Sequence, residues 1–423
     1  MHEGRELLDE ARSSLESGNA MGAIGPLRTL ASSGSLHDDP PSLAATIGLL
    51  AEVARAVGME ELATLCATAV PLEPQAVYDA GMATLGAGLP ELAIPLLHFV
   101  DLWAPDEEGV LYPLASAYED SFRHREAWQL VDGRACLTGF MADYLVAANA
   151  MCAGDVGVAR GRIDAMVAPA EPPHAAAMLD SVRQLLARYD RAAPHTTLDE
   201  VDLRGWHYVL HGSQLLHLSP YGYPDPMRGR FAWLQDDCDR IALCQRRLVA
   251  ALEAWGRPVQ VLATPDDGSA RVAAALAERL GVPVAPWSAD AEGLVAVYDL
   301  ADVDAEIQLA LCSRSQRLYA HAMSWTDAPP NVPDFVGVLY QALVAPWGER
   351  VVMGEDGAES HTPEVVDDAT WARRIAEASD AEDEDMPPAD GLDVLVAFAK
   401  AVGPTVGERR YWGPGPVPSA RFM

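Results

Sequence analysis

The chain has 423 residues, a length that predicts two or three domains rather than one. Half of it is apolar, so core material is ample, but no run of 18 or more apolar residues predicts a membrane span. With 62 acidic residues against 30 basic ones the formal charge is −32, which excludes the Lys/Arg surface that nucleic acid or an anionic membrane would require.

The start, Met1-His2-Glu3-Gly4-Arg5-Glu6, runs straight into a charged amphipathic pattern rather than the basic and apolar stretches of a signal peptide, so the expected location is the cytoplasm. Lys400 is the sole lysine and follows no Gly-rich loop, which removes P-loop and Schiff-base chemistry. Cys66, Cys136, Cys152, Cys238, Cys244 and Cys312 form no C-x-x-C pair and read as small apolar residues, not a disulfide framework or zinc knuckle.

The first half repeats. Gly18, Gly58, Gly88 and Gly154 are each followed five positions later by alanine, at Ala23, Ala63, Ala93 and Ala159. Phe122 and Ala127 fill the same two places between the third and the last. The alanines lie 40, 30, 34 and 32 residues apart, and apolar residues around them recur at helical spacing, as with Leu89, Leu92, Ile94, Leu96 and Leu97. Each unit reads as helix, tight turn, helix, with a small side chain where the two helices cross. Pro74, Pro105 and Pro169 close units where a helix must start afresh. Residues 3–190 thereby resemble the tetratricopeptide family, although the family's aromatic and Leu-Gly positions in the first helix are mostly absent. The resemblance implies a stack with a concave surface that binds a protein or peptide. First-helix side chains would line it: Tyr78, Tyr112, Tyr118, Tyr144 and Asn149, unless they are packing residues.

A break at Pro194-His195-Thr196-Thr197 ends this pattern. Trp206–Leu210 and Gln214–Leu218, flanking His211-Gly212-Ser213, predict a β-hairpin. A Pro/Gly/aromatic loop follows from Ser219 to Arg230, and 238–255 predicts an amphipathic helix. Then come a strand at Val259–Ala263, an Ala-rich helix at 270–280 ending at Gly281, and an extended piece at Pro283-Val284. A strand at Leu294–Tyr298, a helix near 302–313 and a strand at Leu318–Met323 complete the alternation, which predicts a parallel sheet.

The run of strand, Pro-containing loop, Ala-rich helix, "ERLGVPV" at 278–284 and four apolar residues before Tyr298-Asp299 resembles a type I phosphoribosyltransferase core over 240–325. The resemblance implies a pair of acids for ribose hydroxyls and a Thr/Gly-rich phosphate loop. Here position 298 is tyrosine, only Asp299 remains of the pair, and Leu300 to Glu306 contain no Gly, Ser or Thr. Asp266 and Asp267, at a predicted helix start, would also repel a diphosphate.

Arg228 and Arg230 stand out in so acidic a chain: they either face a carboxylate or phosphate ligand or pair with Asp236 and Asp237. With Asp299 and Asp266 they are the candidate ligand residues. His207, His211 and His217 are the densest histidine group: on a helix His207 and His211 would share a face and could bind zinc, but the segment reads as a hairpin with half-buried histidines, so no metal is expected. No G-x-S-x-G elbow occurs, and Cys312 with His321 reads as coincidence. Glu377–Asp393, acidic with Pro387-Pro388, reads as a solvated mobile linker before a helix at 391–402 and a Pro/aromatic tail at 411–418.

The expected fold is therefore multidomain, α and α/β. Helical-hairpin repeats at 1–193 precede a small α/β domain with a mainly parallel sheet at 194–350, then linker, helix and tail at 351–423. The expected function is a non-catalytic interaction protein holding a protein or peptide, with a possible small-molecule ligand on the α/β domain and no cofactor. The alternative is a phosphoribosyltransferase-type or other nucleotide-handling enzyme. A third reading is a metal-dependent enzyme centred on His207, His211 and His217.

Overall fold

A computed structural model of the chain describes residues 2–170, 173–221, 227–327, 331–354, 357–382, 386–405 and 415–418. The chain divides into two compact units, Met1–Val182 and Arg183–Phe422.

The first unit is helical. Its helices pair as α1 (His2–Glu16) with α2 (Ile24–Ser32), α3 (Pro40–Ala56) with α4 (Glu60–Ala69), and α5 (Pro74–Gly86) with α6 (Pro90–Trp103). Then come α7 (Glu108–Asp120) with α8 (His124–Asp132) and α9 (Phe140–Cys152) with α10 (Val156–Ala165), before α11 (Ala175–Ala192). Every hairpin turns through a left-handed residue, and these are the five turn positions expected: Gly18, Gly58, Gly88, Phe122 and Gly154, with φ of 83°, 84°, 73°, 61° and 78°. The left-handed residue lets the first helix stop abruptly. Five residues on, Ala23, Ala63, Ala93, Ala127 and Ala159 are buried.

The crossing has a second half that sequence reading missed. Seven residues before each turn stands another small buried residue: Ala11, Ala51, Gly81, Ala115 and Ala147. A Cβ on Gly81 would lie 3.0 Å from Cδ2 of Leu97 on α6, so the helices touch too closely for a larger side chain. Leu27, Leu30, Ile47, Leu50, Leu92 and Leu96 fill the space between successive hairpins as one core. Each such buried side chain contributes roughly 1.5–3 kcal/mol.

The second unit is built on a parallel sheet. Its elements are α12 (Leu203–His211), β1 (Gln214–Leu215), β2 (Phe231–Gln235), α13 (Cys238–Trp255), β3 (Val261–Ala263), α14 (Asp267–Leu280) and β4 (Val284–Pro286). They continue with β5 (Leu294–Asp299), α15 (Ala305–Leu311), β6 (Arg317–Ser324) and β7 (Phe335–Val344). The β8–β9 pair (Arg350–Gly354, Gly357–His361), α16 (Asp368–Glu377) and α17 (Leu392–Val402) complete it. The order across the sheet is β4-β3-β5-β6-β7, with β1 and β2 both on β7 and every pairing parallel; β8 and β9 form a separate antiparallel pair. All of β5 and nearly all of β6 are buried, as expected of strands covered on both faces.

Three expectations are corrected. Residues 206–210 are not a strand: they belong to α12, capped by Asp202, whose carboxylate accepts from Gly205 N at 2.9 Å, and ended by left-handed Gly212. All nine residues of α12 are buried, and Arg204, His207 and His211 recur along it at helical spacing. Gln214–Leu215 pairs in parallel with Phe335–Val336 instead of folding back. The longest strand, β7, carries an apolar run that the sequence reading passed over; Gly337 is required there because a Cβ would lie 2.3 Å from the His321 carbonyl oxygen. Finally, the helices on either side of the expected linker Glu377–Asp393 are not detached. Ile375, Leu395 and Ala399 are buried in the same core as Leu248, Val261 and Phe335.

Three acids of the expected linker are held by arginines. Asp380 pairs with Arg279, and Glu382 with Arg246 and Arg247. Asp390, fully buried, meets Arg247 at 2.6 Å, His217 at 2.8 Å, and Arg204. Residues 383–385 lie outside the described residues. Among those described, no helix is long and apolar enough to cross a membrane.

Candidate functional site

The chain leaves β3 toward the edge strand β4 and returns to β5 on the other side of β3, then moves on to β6. Connections from β3 and β5 therefore diverge, which opens a crevice beyond their carboxyl ends. The segments after those two strands, Thr264–Gly268 and Leu300–Asp302, form its rim.

Asp266 caps α14: one carboxylate oxygen accepts from Ser269 N at 2.7 Å and the other from Thr264 Oγ1 at 2.8 Å. Asp299 ends β5. Its Oδ2 accepts from the Tyr340 hydroxyl at 2.5 Å and its Oδ1 from Ala301 N at 3.1 Å. Burial outweighs both donors and pushes its carboxyl up to about 6. Burial and the neighbouring Asp266 also raise Asp302.

A cleft of about 510 Å³ opens at this rim, within the size range of small-molecule sites. Four carboxylates line it, those of Asp266, Asp267, Asp302 and Glu364, against one guanidinium, that of Arg271. Trp347 and Trp371 supply the apolar wall. Arg271 lies 2.8 Å from Asp368 with its guanidinium 4.7 Å from the centre of the Trp347 ring. Gly268 admits this close packing, since a Cβ there would meet Trp347 at 3.1 Å and Tyr298 at 3.2 Å.

Within the same sheet lies a closed polar cluster. Asp236, following β2, accepts from His321 Nε2 at 2.9 Å and from the Tyr298 hydroxyl at 3.1 Å; the Tyr319 hydroxyl is 3.2 Å from His321 Nδ1. Burial alone would strip the proton from His321, but the Asp236 carboxylate raises it to about 10. Asp236 in turn is held below the usual carboxylate range despite its burial, because the imidazolium and Arg240 face it. Cys244 on α13 also hydrogen-bonds His321. The set has the residue types of a Cys-His-Asp triad, but Cys244, His321 and Asp236 are all fully buried and form a structural tie between helix and strands. Cys312, the cysteine considered beside His321 from sequence, is exposed and bonds Gln308 O instead.

The sequence-derived ligand residues are only partly brought together. Asp266 lines the cleft and Asp299 ends the neighbouring strand β5 outside its lining, bonded to Tyr340, whereas Arg228 and Arg230 precede β2, with β7 and β6 between it and β5. Arg230 is buried, donates to Val417 O at 3.3 Å, lies 5.6 Å over the Trp325 ring, and is lowered to about 10 by desolvation. Asp236 and Asp237, the partners expected for the two arginines, face Arg240 instead, at 3.7 and 3.5 Å. Residues 222–226 of that loop and 411–414 of the tail lie outside the described residues. His207 and His211 share a face of α12 after all, rings 4.7 Å apart, while His217 turns to Asp390. Among the described residues no three His, Cys, Asp or Glu side chains converge as a metal site.

In the helical unit, Tyr78, Tyr112 and Tyr144 occupy one equivalent place, ten residues before the turn residues 88, 122 and 154. This constant spacing is legible in the sequence, where the three tyrosines stand as candidates without it. All three are half-buried, and two of them tie their helix to the next hairpin or helix: the Tyr78 hydroxyl donates to Gly109 O on α7 at 3.1 Å, and Tyr144 bonds Ser181 on α11. Tyr118 and Asn149 are packing residues. Tyr118 is buried under the Arg123 guanidinium. Asn149 is fully buried and bonds His124, Glu119 and Leu145 O at 2.8, 3.0 and 3.0 Å. Compared with protein-family models, curated proteins and solved structures, the chain matches none of them.

Proposed function

We propose that the chain is a non-catalytic interaction protein of the tetratricopeptide type. Its hairpins hold a protein or peptide, and its sheet unit binds a ligand without turning it over. The observation that carries this reading is the shared hairpin geometry: five left-handed turns, each with a small buried residue seven positions before and an alanine five after. Successive first helices packed in this way present a continuous surface, the feature such stacks use for recognition. Glu52 on α3, and Asp79 and Met82 on α5, are exposed and available to a partner.

The non-catalytic half of the reading is supported by the crevice. A phosphoribosyl diphosphate approaching β5 would meet Asp302, Asp304 and Glu306 where the family it resembles places a Thr/Gly-rich cradle. The test is quantitative capture from the source lysate by the full chain and by its Glu52→Arg/Asp79→Arg variant, with helical content checked by circular dichroism. A protein retained by the parent and lost by the folded variant supports the reading. Equal retention by both, or a millimolar phosphoribosyl diphosphate thermal shift with turnover, would overturn it.

A further inference from the structure

We propose that the packed imidazoles of His37 and His98 are an acid-sensitive latch in the helical unit: while neutral they hold the connection after α2 against α6, and on taking up protons they release it. The inference does not depend on what the hairpins bind.

The contact joins the first hairpin to the third. His37 lies in the turn between α2 and α3, next to buried Leu36, and His98 is on α6. Leu36 shares a core with Leu92 and Leu96 of α6, so the latch guards apolar surface that opening would wet. The two ring centres are 4.1 Å apart, with the planes tilted by 31°. Both side chains are half-buried. Among the described residues, Nε2 of His37 and Nδ1 of His98 are shielded from water and have no hydrogen-bond partner. A neutral imidazole keeps one nitrogen bare, and its tautomer can put that nitrogen in the dry position. An imidazolium carries a proton on both. Protonation therefore puts an N–H where no acceptor stands and a positive charge against the neighbouring ring.

The charges around the pair oppose the proton. Burial, His98 and the Arg123 guanidinium hold His37 below the ordinary histidine value of 6.5, and Asp38 works the other way. Arg123 precedes α8, where Glu126 at 2.9 Å offsets part of its charge. The other nearby acids are taken up elsewhere. Asp39 caps α3 through Ser42, and Asp101, one turn after His98, faces Arg134 at 2.5 Å. Arg28 on α2 and Glu91 on α6 pair with each other at 3.5 Å, a second tie between these helices that contains no imidazole. Opening returns His37 to its ordinary value, so opening takes up protons. The closed form is therefore favoured above about pH 6.5 and loses ground as pH falls below it.

The test is native-state hydrogen exchange of the full chain at pH 7.5 and 5.5, corrected for intrinsic rates, with the His37→Gln/His98→Gln variant beside the parent. In the parent, amides of α2 and of residues 33–39 are expected to lose about tenfold in protection at the lower pH. That is the effect of one extra proton taken up on opening over one pH unit below 6.5. Amides of α10, far along the stack, keep theirs, and the variant shows no such dependence. Equal loss in parent and variant, or no loss in the parent, would overturn the proposal. Should the variant fail to fold, the imidazole proton resonances of the parent decide. The latch requires His37 and His98 to titrate below 6.5, and midpoints at or above that value for both would sink it.

Discussion

Asp299 shows how one residue can work against the stability of its own fold. Its carboxyl is raised by burial from the ordinary 3.8 to about 6, so the folded chain holds that proton more tightly than the unfolded chain does. Stability therefore falls as pH rises from about 4 to about 6 and stays lower above. Asp299→Asn removes the titration. Relative to the parent, the variant is expected to gain roughly 2 kcal/mol on going from pH 4 to pH 7. Urea midpoints of both proteins across that range check it, and parallel curves would refute it. The buried pair of Asp236 and His321 is stabilising, and its contribution likewise falls as pH rises, but over a higher range. The imidazolium is raised to about 10, so its stabilisation is complete below about 6.5 and fades as pH climbs through 10. Sequence pointed at Asp299 because of its place after an apolar strand. It could not point at Asp236 with His321 and Cys244, which lie on three elements far apart in the chain and meet only in the folded sheet.

At the scale of elements, the hairpins depend on backbone shape at the turn and on side-chain size at the crossing. Gly88 has φ of 73° with nothing within 4 Å of where a methyl group would stand, so Gly88→Ala isolates the backbone cost of a left-handed alanine. About 1–2 kcal/mol of destabilisation is expected. Gly161 also has open space but sits in the helical interior of α10, where alanine is better than glycine by about 0.5–1 kcal/mol. Gly161→Ala should therefore raise the thermal midpoint while Gly88→Ala lowers it; shifts of the same sign would remove the left-handed turn as the cause. The turn-and-alanine pattern was readable because it is local, separated by five residues. The α12 segment was misread for the converse reason. Arg204, His207 and His211 do recur there at helical spacing, but Arg204 finds its partner in Asp390, far along the chain, and the run Trp206–Leu210 by itself looks like a strand.

For the molecule as a whole, the C-terminal segment closes the sheet unit. Asp390 bonds Arg204, Arg247 and His217 with no exposure to water, and although burial raises its carboxyl, those partners hold it below the ordinary value. Its stabilisation is present above about pH 4 and lost as pH falls through the folded value. Asp390→Asn takes the carboxylate from Arg204 and leaves Arg247 with Glu382 alone, with an expected cost of about 3–5 kcal/mol at pH 7 that shrinks toward pH 3. Hydrogen exchange should then show α17, β7 and α13 losing protection together, because they share one core. A change below about 1 kcal/mol at pH 7 would mean that the segment is an ornament on the sheet.

The sequence by itself determined the local and the statistical: two architectures, the turn residues and crossing alanines of five hairpins, the strands β3, β5 and β6 with α14 between them, and a charge that repels anions. Spacing and composition carry such information because a helix or buried strand is written in consecutive residues. Only the tertiary structure decided that α16 and α17 belong to the sheet core, that β1 and β2 both dock on β7, and that Asp266 and Asp299 end neighbouring strand segments from which Arg228 and Arg230 stand apart. Those outcomes depend on pairings between residues far apart in the chain, such as Arg204 with Asp390, for which no local pattern exists. They are selected by the burial of apolar surface and the need of each buried charge for a partner.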